Sequence, residues 1–182
     1  MSQLTKKAIR ESFLRLLDRM AFDKITVKDI VEDCGVNRNT FYYHYQDIYA
    51  LLQEIMDEET EKVIGSTDDY DTWQEGILHA ISFALENRRA LYHLYNSINR
   101  QRIERYLHDV TGKIMLTFVR KQVKDLEVDE QDIVLIASFY ECALVGMCLQ
   151  WLDGGMKSEI EYVVHRLGVL MEGNIRMMLE RV

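Results

Sequence analysis

The side chains with most to offer chemically fall in one short stretch. Arg38, Asn39, Thr40, Tyr42, Tyr43 and His44 place a guanidinium, an amide, a hydroxyl, two phenols and an imidazole within seven consecutive positions. Such a set of donors and aromatic edges suits contact with DNA. It does not suit catalysis, because the chain shows no glycine-rich phosphate loop, no serine elbow and no carboxylate dyad.

Two short helices must position these groups. Thr26 followed by Asp29 has the capping-box spacing, with the acid near the positive end of the helix dipole. Ile30, Val31 and Cys34 then give an apolar stripe one turn apart, and Gly35 can take the left-handed conformation that ends a helix. Asn37 can cap a second helix in which Phe41 and Tyr45, four residues apart, face inward. The six polar and aromatic residues are left on its other faces. Two helices joined by a three- to four-residue turn containing glycine form the helix-turn-helix signature, whose second helix enters the major groove.

The surrounding chain reads as helices throughout. There are 182 residues and no proline, where average usage near 5% would give about nine, so nothing covalent interrupts long helices. From Thr5 to about Met20, the residues Ala8, Ile9, Phe13, Leu16, Leu17 and Met20 form one stripe, with Lys6, Lys7, Arg10, Arg15 and Arg19 largely outward. Asp47 can cap a fourth helix to about Ile64, apolar at Ile48, Leu51, Leu52, Ile55 and Met56. Its other side is acidic, at Glu54, Asp57, Glu58, Glu59 and Glu61, and cannot lie along DNA. Residues 65–69 are a turn cluster and the expected boundary between a domain at 1–64 and a second at 65–182. Beyond it, helices are expected over Thr72–Glu86, Arg88–Ser97 and Arg100–Val123. Another runs from Asp129 or Asp132 to Leu152 and is stopped by Gly154-Gly155. A last one is capped by Ser158 and reaches Arg181. The fold class is all-α, with about nine helices.

Charge divides along the same line. The net charge is −8, yet residues 1–50 hold 8 Lys+Arg and 7 Asp+Glu, net +1, while residues 51–182 hold 14 and 23, net −9. Phosphate contact must therefore be local to the N-terminal fifty residues. Three cysteines at no motif spacing fit a reducing compartment, and the charged, amphipathic N-terminus is unlike a secretory signal; a cytoplasmic protein is expected. The run Ile133–Leu152 is apolar, but Ser138, Glu141 and Gln150 interrupt it. A helix buried on two sides explains it better than a membrane span.

Residues 3–64, above all ITVKDIVEDCGVNRNTFYYHYQDIYALL, resemble the DNA-binding domain of the TetR family of bacterial transcriptional regulators. The match rests on the T-x-x-D-I helix start, the glycine turn and the Phe41-Tyr42-Tyr43-His44-Tyr45 string. YYHYQDIY and the later WLDGGM segment also resemble the subgroup that regulates dihydroxyacetone kinase operons. The resemblance implies a helical ligand-binding and dimerisation domain, with the last two helices in a four-helix bundle across a dimer. It assigns Thr26, Lys28, Thr40, Tyr42 and His44 mainly to phosphates, and Arg38, Asn39 and Tyr43 mainly to base edges. Many members carry lysine at the position of Ile48, and often at Gln46. Both are absent here, so fewer phosphate contacts, a shallower salt dependence or the loss of a role in DNA binding altogether is expected.

The second domain has no strong motif of its own. Tyr92, Tyr95, Asn96, Tyr106, Phe118, Tyr140, Met147 and Trp151 are candidates for an effector pocket, being polar-tipped aromatics with a flexible methionine; for any single one of them ordinary core packing is the favoured account. The last two helices each have two apolar faces, and both must be buried. One face of the first carries Ile133, Ala137, Tyr140, Leu144, Met147 and Trp151. The other carries Ile136, Phe139, Ala143 and Gly146, and with Val163, Leu170 and Met177 it is the expected surface for a symmetric partner. His79, His93 and His108 lack metal-ligand spacing, and Cys142 and Cys148 lie on different faces. No metal, cofactor or catalytic residue is expected. The expected function is a homodimeric DNA-binding repressor that binds a palindromic operator and responds to a small-molecule effector. The alternative is a co-activator whose protein partner senses the ligand.

Overall fold

A computed structural model describes residues 2–65, 70–97, 100–123, 126–157, 159–171 and 173–182. Among the described residues there are ten α-helices, one short 3-10 turn at Phe22–Lys24 and no strand. The helices are α1 (Ser2–Arg19), α2 (Val27–Cys34), α3 (Arg38–His44), α4 (Ile48–Gly65), α5 (Trp73–Glu86), α6 (Arg88–Tyr95), α7 (Arg100–Gln122), α8 (Glu130–Asp153), α9 (Ile160–Leu170) and α10 (Asn174–Leu179). The all-α expectation holds.

Side-chain caps fix several of the helix starts. The Asp47 carboxylate accepts from the Ala50 amide at 2.8 Å and opens α4, and Asp129, not Asp132, opens α8 by accepting from the Gln131 amide at 2.8 Å. The final segment departs from its expectation as a single helix. Gly173 adopts φ 73°, a left-handed conformation that breaks the ladder, so α9 and α10 are separate. The expected Ser158 cap and most of the expected boundary at residues 65–69 lie outside the described residues.

The chain forms two compact units, one of residues Met1–Glu59 with Ala84–Ile103 and one of Thr60–Phe83 with Glu104–Val182. Helices α4, α5 and α7 each pass from one unit into the other. The return of α6 to the N-terminal unit was not visible in the sequence. It follows from tertiary contacts: His93 Nδ1 lies 2.6 Å from the Leu17 carbonyl near the end of α1.

Ile9, Phe13, Leu17, Phe22, Ile30, Phe41 and Leu51 form the core of the first unit, with Phe13 and Phe22 meeting edge-on at 6.1 Å. Ser12 is fully buried and donates to the Ile30 carbonyl at 3.0 Å, which fastens α2 to α1. Of the α1 cations, Lys7, Arg15 and Arg19 are exposed as expected, whereas Lys6 and Arg10 are half-buried. Lys6 pairs with Glu54 at 2.6 Å, Arg10 with Glu58 and with Glu59 at 2.6 Å, and Arg15 with Asp33 at 2.6 Å. These pairs join α1 to the acidic side of α4 and to the end of α2.

In the second unit, Trp73, Ile77, Ile114, Met115, Val119, Ile133, Ala137, Tyr140, Val145, Trp151 and Leu152 are buried. An 18-residue window within α8 has mean hydropathy 1.8, long and apolar enough by composition to cross a membrane, yet 28% of it is buried inside the chain. One side of α8 is therefore covered by its own unit and the other is open. The carboxylate of Glu141, which interrupts the apolar run, is 2.7 Å from His108 Nδ1 on α7.

Candidate nucleic-acid interface

The site is built on two caps. At the start of α2 the Asp29 amide donates to the Thr26 hydroxyl at 3.3 Å, while the Asp29 carboxylate accepts from the Thr26 amide at 2.8 Å and from its hydroxyl at 2.6 Å. Those bonds from Thr26 hold the Asp29 carboxyl below the usual carboxylate range. Gly35 ends α2 at φ 72°, ψ 20°, a conformation that L side chains resist, and Asn37 then accepts from the Thr40 amide at 2.8 Å to start α3. The turn is therefore set at one end by the left-handed backbone of Gly35 and at the other by the Asn37 side chain, and α3 emerges in one direction.

Helix α3 is seven residues long, and Phe41 is buried within it. Tyr45, the residue that ends it, is also buried, so the two inward aromatics of the sequence reading do face the core. Tyr43 is 82% exposed and Tyr42 53%; Arg38 and Asn39 are exposed, and Thr40 and His44 half-exposed. The Tyr43 and His44 rings meet edge-on at 5.0 Å, which restricts both before any ligand arrives. One face of α3 thus presents a guanidinium, an amide and a phenol to solvent.

The residues assigned to phosphates are less uniform. Lys28 is exposed, and its ammonium is 3.7 Å from Glu32, a screened surface pair that a phosphate can displace. The hydroxyls of Thr26 and Thr40 each donate inside a cap, to Asp29 at 2.6 Å and to Asn37 at 3.0 Å. A hydroxyl has one proton to give, so either threonine must release its cap before donating to a phosphate. Gln46 is exposed, and Ile48 is half-buried at the start of α4.

The sequence reading missed the residues that hold this platform, namely Ser12, Glu54 and the paired cations Lys6, Arg10 and Arg15 of α1. One signal was available. A buried tyrosine needs a partner for its hydroxyl, and Tyr45 finds it in Glu54 at 2.6 Å.

The eight pocket candidates do not share one unit. Tyr92, Tyr95 and Asn96 belong to the first, where Tyr95 is buried under the Arg100 guanidinium at 4.8 Å and Asn96 donates to the Tyr92 carbonyl at 2.9 Å. Tyr106, Phe118, Tyr140, Met147 and Trp151 belong to the second, where Tyr140 and Trp151 are buried. Phe118 lines a cavity of about 10 Å³ with Tyr70, Thr72, Trp73, Ile114 and Lys121, space for about one water.

Of the residues expected at a partner surface, Phe139, Leu170 and Met177 are 60%, 61% and 45% exposed, and Ala143 is exposed. Gly146 and Val163 are half-exposed. Ile136 is buried in its own unit, whereas Leu135, one position earlier, is 68% exposed. Beside it lies an open hollow of about 390 Å³ lined by Glu130, Gln131, Val134, Leu135 and Ser138.

Cys142 is exposed and Cys34 half-exposed, and burial pushes the half-exposed Cys148 thiol up to about 11, well away from a reactive thiolate.

Residues 9–55 match a family described as bacterial regulatory proteins, tetR family, and residues 71–173 match one described as transcriptional regulator C-terminal region. The HTH-type dhaKLM operon transcriptional activator DhaS of Lactococcus lactis subsp. lactis (strain IL1403) is 31% identical over 87 residues, 48% of this chain and 46% of that protein. The uncharacterized HTH-type transcriptional regulator YxbF of Bacillus subtilis (strain 168) is 24% identical over 161 residues, 83% of this chain and 40% of its own length. Both matches span less than half of the relative. A solved structure of a dihydroxyacetone kinase operon activator, DhaS, superposes with TM-score 0.80 over 95% of this chain and 97% of that one at 19% identity, which establishes a common fold.

Proposed function

The chain belongs to the TetR family of bacterial regulatory proteins and is therefore a DNA-binding transcription regulator and not an enzyme, and from that premise we propose that it acts in the cytoplasm as a homodimer on a palindromic operator. Its two α3 helices enter successive major grooves about 34–36 Å apart. Arg38, Asn39 and Tyr43 meet base edges. Lys28, Tyr42 and His44 meet phosphates, together with Thr26 and Thr40 once their caps open. The observation that carries this reading is the two-sided α3, whose inner aromatics are buried while Tyr43 is 82% exposed.

A small-molecule effector binds in the second unit, among Tyr106, Phe118, Tyr140, Met147 and Trp151, and favours a dimer in which the two α3 helices are differently separated. Only a ligand that binds the two states unequally can release DNA. Repression by occupancy of the operator is the simplest output. A second reading, activation with the help of a protein partner, is favoured by the relative DhaS, which by name is an activator.

A gel shift with DNA from upstream of the protein's own gene tests the first part. Specific retardation at low salt, lost in Arg38→Ala and Tyr43→Ala, is expected; no retardation, or retardation indifferent to both substitutions, refutes it. A reporter driven by the same DNA separates the signs, since deleting the regulator raises expression if it represses and lowers it if it activates.

A further inference from the structure

We infer that Glu54 is a positioning residue for DNA reading, holding the C-terminal end of α3 through the Tyr45 hydroxyl and tying it to α1 through Lys6. The inference rests on α3 being the DNA reader. Three elements meet at this one carboxylate. Tyr45 donates to Oε1 at 2.6 Å, Lys6 Nζ donates to Oε2 at 2.6 Å, and the same ammonium sits 5.5 Å from the centre of the Tyr45 ring. Each oxygen thus has its own charged or hydroxyl donor, and the two donors also contact each other.

The need for such a tether comes from the size of α3. It has seven residues, and Phe41 is the buried one among them. A helix held at one buried point can roll about it, and a second fixed point sets the roll. Tyr45 is that point, four residues on, where the chain turns extended (φ −136°, ψ 132°) and its amide closes on the Phe41 carbonyl at 2.9 Å. The ring could pack without its hydroxyl. The hydroxyl adds direction, because it can reach Glu54 from only a narrow range of α3 orientations, and base readout tolerates displacements of only about 0.5 Å or 10–20°. Burial alone would raise the Glu54 carboxyl, but the bonds from Lys6 and Tyr45 outweigh it and hold the group below the usual range. The carboxylate is therefore charged and strongly accepting wherever the protein works. Arg10, also on α1, pairs with Glu58 and Glu59 one turn further along α4, which keeps it from competing for Glu54.

The test uses full-length protein and fluorescence anisotropy with two duplexes of equal length, one from upstream of the protein's own gene and one of scrambled sequence. Tyr45→Phe keeps the ring and removes the hydroxyl; Glu54→Ala removes the acceptor. Each is expected to weaken binding to the upstream duplex about five- to twentyfold while leaving the scrambled duplex within about twofold. In the double variant the second substitution should add little, since both remove one contact. An unchanged ratio between the two duplexes, or losses on both that merely track a fall in Tm, overturns the inference. Additive losses in the double variant also overturn it. Arg38→Ala separates this from failure of the underlying reading. If it too leaves the ratio unchanged, α3 is not the reader; if it collapses the ratio while Tyr45→Phe does not, only the role of Glu54 is refuted.

Discussion

Phe41 and Tyr43 lie two residues apart on α3 and point to opposite sides of it: Phe41 is fully buried, and Tyr43 is 82% exposed. Two positions turn a helix by about 200°, so one short segment serves both the core and the solvent. Their substitutions should separate stability from function. Phe41→Ala should cost about 3–5 kcal/mol, whereas Tyr43→Ala should change stability by no more than about 0.5 kcal/mol. Tyr43→Ala should nevertheless weaken specific DNA binding by about 1–3 kcal/mol. Thermal unfolding and gel shifts on the same two variants check this, and a Tyr43→Ala protein that melts early would place the ring in the core.

The reciprocal bonds of Thr26 and Asp29 give a pH-dependent contribution. The Asp29 pKa is lower folded than unfolded, chiefly because of the Thr26 hydroxyl and amide. Its contribution is therefore fully present above the unfolded value of about 3.9 and is lost as pH falls through the lower folded value. Acid unfolding curves of the wild type and Asp29→Asn should converge below about pH 4. Thr26→Ala should cost about 1 kcal/mol at neutral pH; curves that stay parallel through the acid range would mean that the carboxylate does no capping.

How far this architecture can be read without coordinates depends on the range of the interaction. Thr26, Asp29, Gly35, Asn37, Phe41 and Tyr45 act on neighbours within four residues, so spacing alone gave their roles, and the caps and the buried aromatics stand where expected. Glu54 belongs to a different class. It looked like one more acid on a solvated helix face, because its partner Lys6 is 48 residues away. The return of α6 to α1 through His93 and Leu17, 76 residues apart, was hidden for the same reason. In α8 the two apolar stripes were plain, but Ile136 and Leu135 differ by only one position, about 100° around the helix, and periodicity could not say which of them the chain itself would cover.

Lys28 should report on phosphate contact. Its ammonium is exposed and only loosely paired with Glu32 at 3.7 Å. With lysines absent at Gln46 and Ile48, it is one of few cations available near α3. Lys28→Ala should weaken binding to specific and scrambled duplexes alike and lower the slope of log K against log salt by about 0.9. Anisotropy titrations at several salt concentrations measure this; a loss confined to the specific duplex would move Lys28 from phosphate to base contact.

The open side of α8 makes the last prediction. Phe139 is 60% exposed in the single chain, on the same side as Leu135 at 68%. Exposed apolar surface of this kind is covered when a partner is present. Light scattering should give a mass about twice 21.5 kDa for the wild type. Phe139→Glu should give a folded monomer, because a charge there must be desolvated only when the partner arrives. Ile136→Ala should behave in the opposite way, since Ile136 is buried in its own unit: it should cost about 2–5 kcal/mol of stability and leave the dimer of the folded fraction intact. Specific DNA binding should fall with Phe139→Glu, since one α3 reaches only half of a palindromic site. A wild type that scatters as a monomer and still binds its own upstream DNA specifically would end the dimer proposal.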